Sequence, residues 1–357
     1  MTKTPEQEAR ETIDKMLDQS GWDVRDVDNA NIHAKRGVAI REFPLNTGHG
    51  FADYLLYVDG RAAGVIEAKK VGNTLTGVEI QSDKYKTGLP EGLPAWYRPL
   101  PFCYQSTGVE TRFTNDLDPV PRSRDIFSFH RPETMTDCIN EDPPPAAGNL
   151  QQKISPFSKP STLNLRLKQM PDLIKDGLWP AQIIAVNNLE KSLAENRPRA
   201  LIQMATGSGK TFTAISFIYR LIKFAKARRV LFLVDRGNLG KQTLKEFQQY
   251  VSPYNNYKFS EEYIVQRLTS KNLDKTARVC ICTIQRLYSM LKGEELQEID
   301  EEGSIQGLEN VYDDVPPIEY NPAIPIETFD FIITDECHRS IYNLWRQVLD
   351  YFGGRHC

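Results

Sequence analysis

The chain of 357 residues carries Lys+Arg 44 against Asp+Glu 47, a net charge of -3, with 40% hydrophobic and 25% charged residues. That length suggests about two or three domains, and the balance excludes gross disorder, collagen-like repeats and a bulk polycation, so any nucleic acid must be met by local basic patches. No apolar run approaches the roughly 18 residues of a membrane span, and the N-terminus lacks the apolar core of a secretory signal; a cytoplasmic protein with no membrane partner is expected.

In chain order, Ala9, Ile13, Met16 and Leu17 recur at helical steps and predict an opening helix closed by Gly21. Strand-like runs follow at 52–58, 64–68 and 125–129, the first two separated by Asp59-Gly60, a two-residue hairpin signal. Eight prolines lie between Asp116 and Pro160, so from about residue 138 the segment reads as a semi-rigid linker. From about Leu163, short apolar runs at 200–205, 230–235, 279–284 and 329–334 alternate with helical stretches, which predicts a parallel sheet wrapped by helices. Between Glu294 and Glu327 stand eleven acidic residues and no Lys or Arg, read as a solvated insertion on a loop. The six cysteines contain no CxxC pair and are expected to be reduced; Cys280 and Cys282, two apart in an apolar run, should share one side of a buried strand.

Two constellations carry chemistry. Ala205-Thr206-Gly207-Ser208-Gly209-Lys210-Thr211 stands between an apolar run and a helical pattern. A glycine turn at a helix N-terminus points N–H groups at phosphate oxygens, helped by the helix dipole. Lys210 would reach the β- and γ-phosphates and Thr211 would hold Mg²⁺; the usual first glycine of this pattern is replaced by Met204. Further on, the run 329–334 delivers Asp335 and Glu336 at the ligand edge of a parallel sheet, Asp335 for the Mg²⁺ that bridges the phosphates and Glu336 to orient attacking water.

The second constellation is N-terminal. Glu67 and Lys69 alternate on one strand and so share a face, and pairing around Asp59-Gly60 can bring Asp53 to that face. Two carboxylates can hold Mg²⁺ through oxygen, and the lysine can position water and meet developing charge. An ordinary exposed strand edge of mixed charge is the competing reading of the same three residues.

The motor-like motifs resemble those of superfamily 2 helicases and translocases: residues 205–211 their motif I, Asp335-Glu336-Cys337-His338 their motif II. Trp179-Pro180-Ala181-Gln182 resembles the adenine-reading glutamine motif, which implies Gln182 as base contact; Val234-Asp235-Arg236 and Thr283-Ile284-Gln285 resemble motifs that grip the DNA backbone. Asp53, Glu67 and Lys69 resemble a PD-(D/E)xK nuclease with Ala52 in place of the usual proline, and Gln81 with Tyr85 matches a QxxxY motif found in some of these nucleases; Glu8 would complete the site, with Glu6 and Glu11 competing.

Together the motifs resemble the restriction (R) subunit of Type I restriction–modification enzymes over essentially the whole chain. The resemblance implies an α/β chain in three parts: a PD-(D/E)xK nuclease at 1–137, a Pro-rich linker at 138–160, and a RecA-like parallel α/β lobe at 161–357 that is incomplete at its C-terminal end. It implies ATP and Mg²⁺ as cofactors, and double-stranded DNA with methylation and specificity subunits as partners. The expected activity is ATP-dependent translocation coupled to DNA cleavage. A chain ending at Cys357 would lack motif III and a second lobe, and is expected to lack ATPase and translocase activity alone. A stand-alone nuclease–helicase of DNA repair or phage defence, and a non-catalytic chain that binds DNA or partner subunits, fit the same motifs.

Overall fold

A computed structural model describes residues 5–72, 75, 84–118, 121–141, 163–195, 197–296, 316–335 and 343–353. Gln81 and Glu336, and most of the linker and acidic insertion, lie outside the described residues. The contacts divide the chain into two compact units: residues 1–159 with 320–327 and 350–357, and residues 160–319 with 328–349. No helix among the described residues is long and apolar enough to cross a membrane.

The first unit is a seven-stranded sheet in chain order, β1 (Asp23–Asp26), β2 (Gly37–Pro44), β3 (Phe51–Val58), β4 (Arg61–Ala68), β5 (Phe102–Ser106), β6 (Thr111–Asn115) and β7 (Arg124–Ile126). Pairings β1–β2 and β4–β5 are parallel, the rest antiparallel. Helix α1 (Pro5–Gln19) ends before Gly21, whose φ of +89° suits a glycine, and buries Ile13 and Leu17 with Tyr54, Ile66, Tyr104 and Phe113. The opposite face packs Leu55, Tyr57 and Val65 with Tyr85 and Leu89. Strands β3 and β4 turn on Asp59 (φ +48°) and Gly60 (φ +76°), the double positive φ that a two-residue hairpin of matching twist requires. The ladder then slips by one residue: Tyr57 opposes Ala62, Leu56 opposes Gly64, and Ala63 is the extra residue of a bulge.

The helix α2 (Pro132–Glu141) closes this core through Met135 and Ile139. Glu327 belongs to the same unit and is 6% exposed. Its carboxylate accepts from Arg131 Nε at 2.8 Å and Thr134 Oγ1 at 2.7 Å. Burial pushes that carboxyl up, yet the charges of His130 and Arg131 and the two donors outweigh burial and hold it below the ordinary value. The acidic insertion is therefore not solvated throughout: Ile318, Ile324, Ile326 and Glu327 are buried. Counting charges cannot separate a hydrated glutamate from a buried one that a half-exposed arginine and a buried threonine satisfy. Cys103, Cys280 and Cys282 are free and buried, whereas Cys138 is disulfide-bonded, against the expectation of reduced thiols throughout; spacing along the chain does not see a pairing made by the fold.

The second unit carries a parallel sheet in the order β11 (Phe331–Thr334), β8 (Val230–Val234), β10 (Val279–Thr283), β9 (Val265–Arg267). Strands β8 and β10 are wholly buried apolar runs, as helices covering both faces require. Helix α3 (Leu163–Lys168) comes first; α4 (Pro180–Ala194), α5 (Lys210–Lys223), α6 (Gly237–Gln249), α7 (Phe259–Glu262) and α8 (Ile284–Leu291) follow, and α9 (Asn343–Phe352) comes last among the described residues. Thr283 caps α8, its Oγ1 accepting from Arg286 N at 3.3 Å. The apolar run at 200–205 does not join the sheet: it forms no ladder, and Leu201 is 76% exposed. An apolar run signals burial, but a strand also needs a neighbouring edge to take its N–H and C=O groups.

Candidate nuclease centre and phosphate loop

The last β3–β4 pair is Tyr54 with Ile66, so the next position sets Asp53 against Glu67 at the end of the ladder. There the N–H of Ala68 donates to Asp53 Oδ2 at 3.0 Å, which seats the aspartate between Glu67 and Lys69. Lys69 Nζ lies 2.6 Å from Glu67 Oε1, and the Glu67 side chain is 1% exposed. The structure thus brings Asp53, Glu67 and Lys69 together.

Arg10, from α1, donates through Nη2 to Asp53 Oδ1 at 2.9 Å and through Nη1 to Glu42. Sequence reasoning expected a glutamate of α1 here; Glu8 and Glu11 are exposed, and the side chain of Glu6 lies outside the described residues. Helical spacing puts 6, 10 and 14 on one stripe, and in the structure Asp14 on that stripe binds Arg41 at 2.9 Å and accepts from Tyr54 Oη at 2.8 Å. Gln105 on β5 is the register partner of Glu67 and is 6% exposed, and Arg112 on β6 is the partner of Gln105. A polar row therefore continues from the centre across the sheet, visible only once the pairing is known. Tyr85 is 8% exposed and packs in the cluster of Leu55, Tyr57 and Val65.

Mg²⁺ is usually held by one or two carboxylates plus waters. Asp53 and Glu67, one 18% exposed at its side chain and the other buried, fit that donor set; no cluster of three or more His, Cys, Asp or Glu suited to a metal occurs among the described residues.

In the second unit Gly207 and Gly209 both adopt φ +77°, and Gly209 opens α5. The space beyond Gly207 is open, as a loop that admits phosphate needs, whereas a Cβ on Gly209 would lie 2.4 Å from Gln182 Nε2. Gln182 is 5% exposed; its Nε2 donates to the carbonyls of Ser208 and Gly209 at 3.3 and 3.4 Å, and its Oε1 accepts from Trp179 N at 2.9 Å. It joins the start of α4 to the loop. Lys210 and Thr211 form the first turn of α5, Thr206 is exposed, and Asp335 follows β11, its N–H donating to Leu233 O at 2.9 Å. Gly209→Ala combines a positive φ with that clash, so it should lower nucleotide affinity at least tenfold and cost about 1–3 kcal/mol; a calorimetric titration with ATP and a thermal melt check both.

A parallel α/β sheet and a glycine loop opening a helix stand in one chain with a carboxylate–lysine cluster, and its relatives place the chain among restriction enzymes. The family model described as "Type III restriction enzyme, res subunit" matches residues 175–356, about half of the chain, and the chain belongs to that family. The model for the second domain of the Type I restriction enzyme EcoKI endonuclease subunit matches residues 23–96. The EcoKI endonuclease subunit of Escherichia coli (strain K12) is 26% identical over 94% of this chain and 29% of its own length. The EcoAI endonuclease subunit of Escherichia coli is 25% identical over 82% of this chain and 32% of its own. A fragment structure of a type I HsdR subunit from Vibrio vulnificus YJ016 is 20% identical, covering 99% of this chain and 54% of that one with a TM-score of 0.29. The chain spans under a third of the length of these two endonuclease subunits.

Proposed function

We propose that the chain supplies the DNA-cutting centre and the ATP-binding lobe of a Type I restriction enzyme. It would act on double-stranded DNA in a complex with methylation and specificity subunits, as the named relatives are themselves subunits of such enzymes. The observation that carries the reading is the seating of Asp53 by the Ala68 N–H beside the Lys69–Glu67 pair.

In this centre Asp53 and Glu67 hold Mg²⁺, which when bound supplies Lewis acidity and a more acidic water. The Lys69 Nζ faces the buried Glu67 side chain at 2.6 Å. Lys69 then sits where it can orient the attacking water and meet charge that develops on the phosphate. In the second unit, Gly207, Ser208 and Gly209 present N–H groups to the phosphates, with Lys210 as counter-charge; Thr211 and Asp335 hold the nucleotide's Mg²⁺. Gln182 would act on nucleotide through the loop it clamps. Gln81 and Glu336 keep the roles the motifs suggest, as QxxxY partner of Tyr85 and as water-orienting carboxylate.

Two measurements test the reading. Plasmid DNA should be cut by the assembled enzyme with Mg²⁺ and ATP, and spared in EDTA. Lys210→Ala should weaken ATP binding about 10- to 150-fold, the worth of a hydrogen bond to a charged group. Cleavage that persists in EDTA, or ATP affinity unchanged in the variant, contradicts it.

A further inference from the structure

We propose that Arg10 is a built-in stand-in for the metal, holding Asp53 until a divalent cation displaces it, so that metal uptake at this centre is an exchange. The inference rests on the reading of Asp53, Glu67 and Lys69 as a metal-dependent centre.

Three observations carry it. Arg10 takes Asp53 Oδ1 at 2.9 Å while Ala68 N–H takes Oδ2 at 3.0 Å, so the guanidinium sits on the outward oxygen, the one a metal would need. Glu42, the other partner of Arg10, stands opposite Asp53, between the pairs Arg41–Tyr54 and Phe43–Ala52, and holds φ +48° in a strand. A non-glycine residue in that region is strained and persists only where its surroundings impose it; directly opposed carboxylates also repel unless a cation lies between them. Lastly, Glu42, Asp53 and Glu67 carry three negative charges against one on Lys69, which leaves two, the charge of one divalent cation.

The Arg10 side chain is 39% exposed, so it can leave Asp53 at little cost and remain tethered to Glu42. A divalent cation on Asp53 would repel the guanidinium, and the two occupants exclude each other. Arg10 is thus a positioning residue: it keeps the aspartate aimed and offsets one of the site's two excess negative charges in the metal-free chain.

The test is Mn²⁺ binding by calorimetry to the whole chain, with Arg10→Ala, Arg10→Gln and Asp53→Asn, each checked by thermal melt. Loss of one part-exposed ion pair should let both Arg10 variants bind Mn²⁺ about two- to fivefold more tightly, while Asp53→Asn loses the site. Arg10→Gln keeps a long helix-forming stem, so it reports even where the alanine variant folds poorly. Equal or weaker binding in Arg10→Gln, with binding lost in Asp53→Asn, overturns the exchange and leaves the centre standing. Mn²⁺ binding unchanged in Asp53→Asn overturns the centre itself, and the exchange with it.

Discussion

Asp53→Asn and Asp53→Ala are both expected to abolish Mg²⁺-dependent DNA cleavage in the assembled enzyme, and only the alanine should disturb folding. The asparagine side chain would still accept the Ala68 N–H through its amide oxygen, so the end of the β3–β4 ladder stays satisfied. It would lose the charge that a divalent cation needs, and cleavage should fall below detection. Both variants leave Arg10 with Glu42 alone, but alanine also leaves that N–H without its acceptor, so a cost of about 1–3 kcal/mol is added. Lys69→Ala should lower cleavage roughly 10²- to 10³-fold, as loss of one preorganised donor does. Linearisation of supercoiled plasmid, with ATP binding measured in parallel, reads all three; wild-type cutting by Asp53→Asn removes the assignment.

The second large effect falls on stability. Arg220 on α5 is 1% exposed, yet every face of its guanidinium is used. It bonds Glu190 on α4 at 2.6 and 2.9 Å and Pro171 O at 2.6 Å, reaches Tyr254 Oη, and lies 5.7 Å from the Phe224 ring. Arg220→Met should cost roughly 3–5 kcal/mol, because Glu190 is left in a poorly solvated place without its counter-charge. For a unit of this size that is a drop of about 6–20 °C in Tm. The double variant Arg220→Met with Glu190→Met should recover much of the loss, since an apolar pair removes the orphaned charge. Because α4 starts beside Gln182 and α5 starts at Lys210, the single variant should also loosen ATP binding. A melt of the single variant within about 2 °C of wild type would contradict this account.

Much of the candidate centre was legible because it is local: Asp53, Glu67 and Lys69 sit on one hairpin whose turn residues, Asp59 and Gly60, announce themselves. What α1 contributes was not legible, because helical spacing ranks stripes but does not say whether a strand presents a carboxylate or a cation to them, and so did not single out Arg10. Gln105 escaped for another reason. It meets Glu67 only through a parallel pairing of β4 with β5, strands separated by 33 residues of chain. In the second unit the apolar runs at 230–234 and 279–283 became strands as expected, while the similar run at 200–205 did not, and hydrophobicity alone could not tell them apart.

The slipped pair at Ala63 has an implication for how this hairpin tolerates change. A plain two-residue turn on Asp59 and Gly60 would place Ile66 across from Asp53 and rotate Glu67 to the opposite side of the sheet. Setting one small alanine outside the ladder is therefore what makes the 53–67 spacing chemically meaningful. Deleting Ala63 would flatten the bulge yet leave Leu56 opposite Gly64 and Tyr54 opposite Ile66, so Asp53 should still meet Glu67 and cleavage should survive the loss.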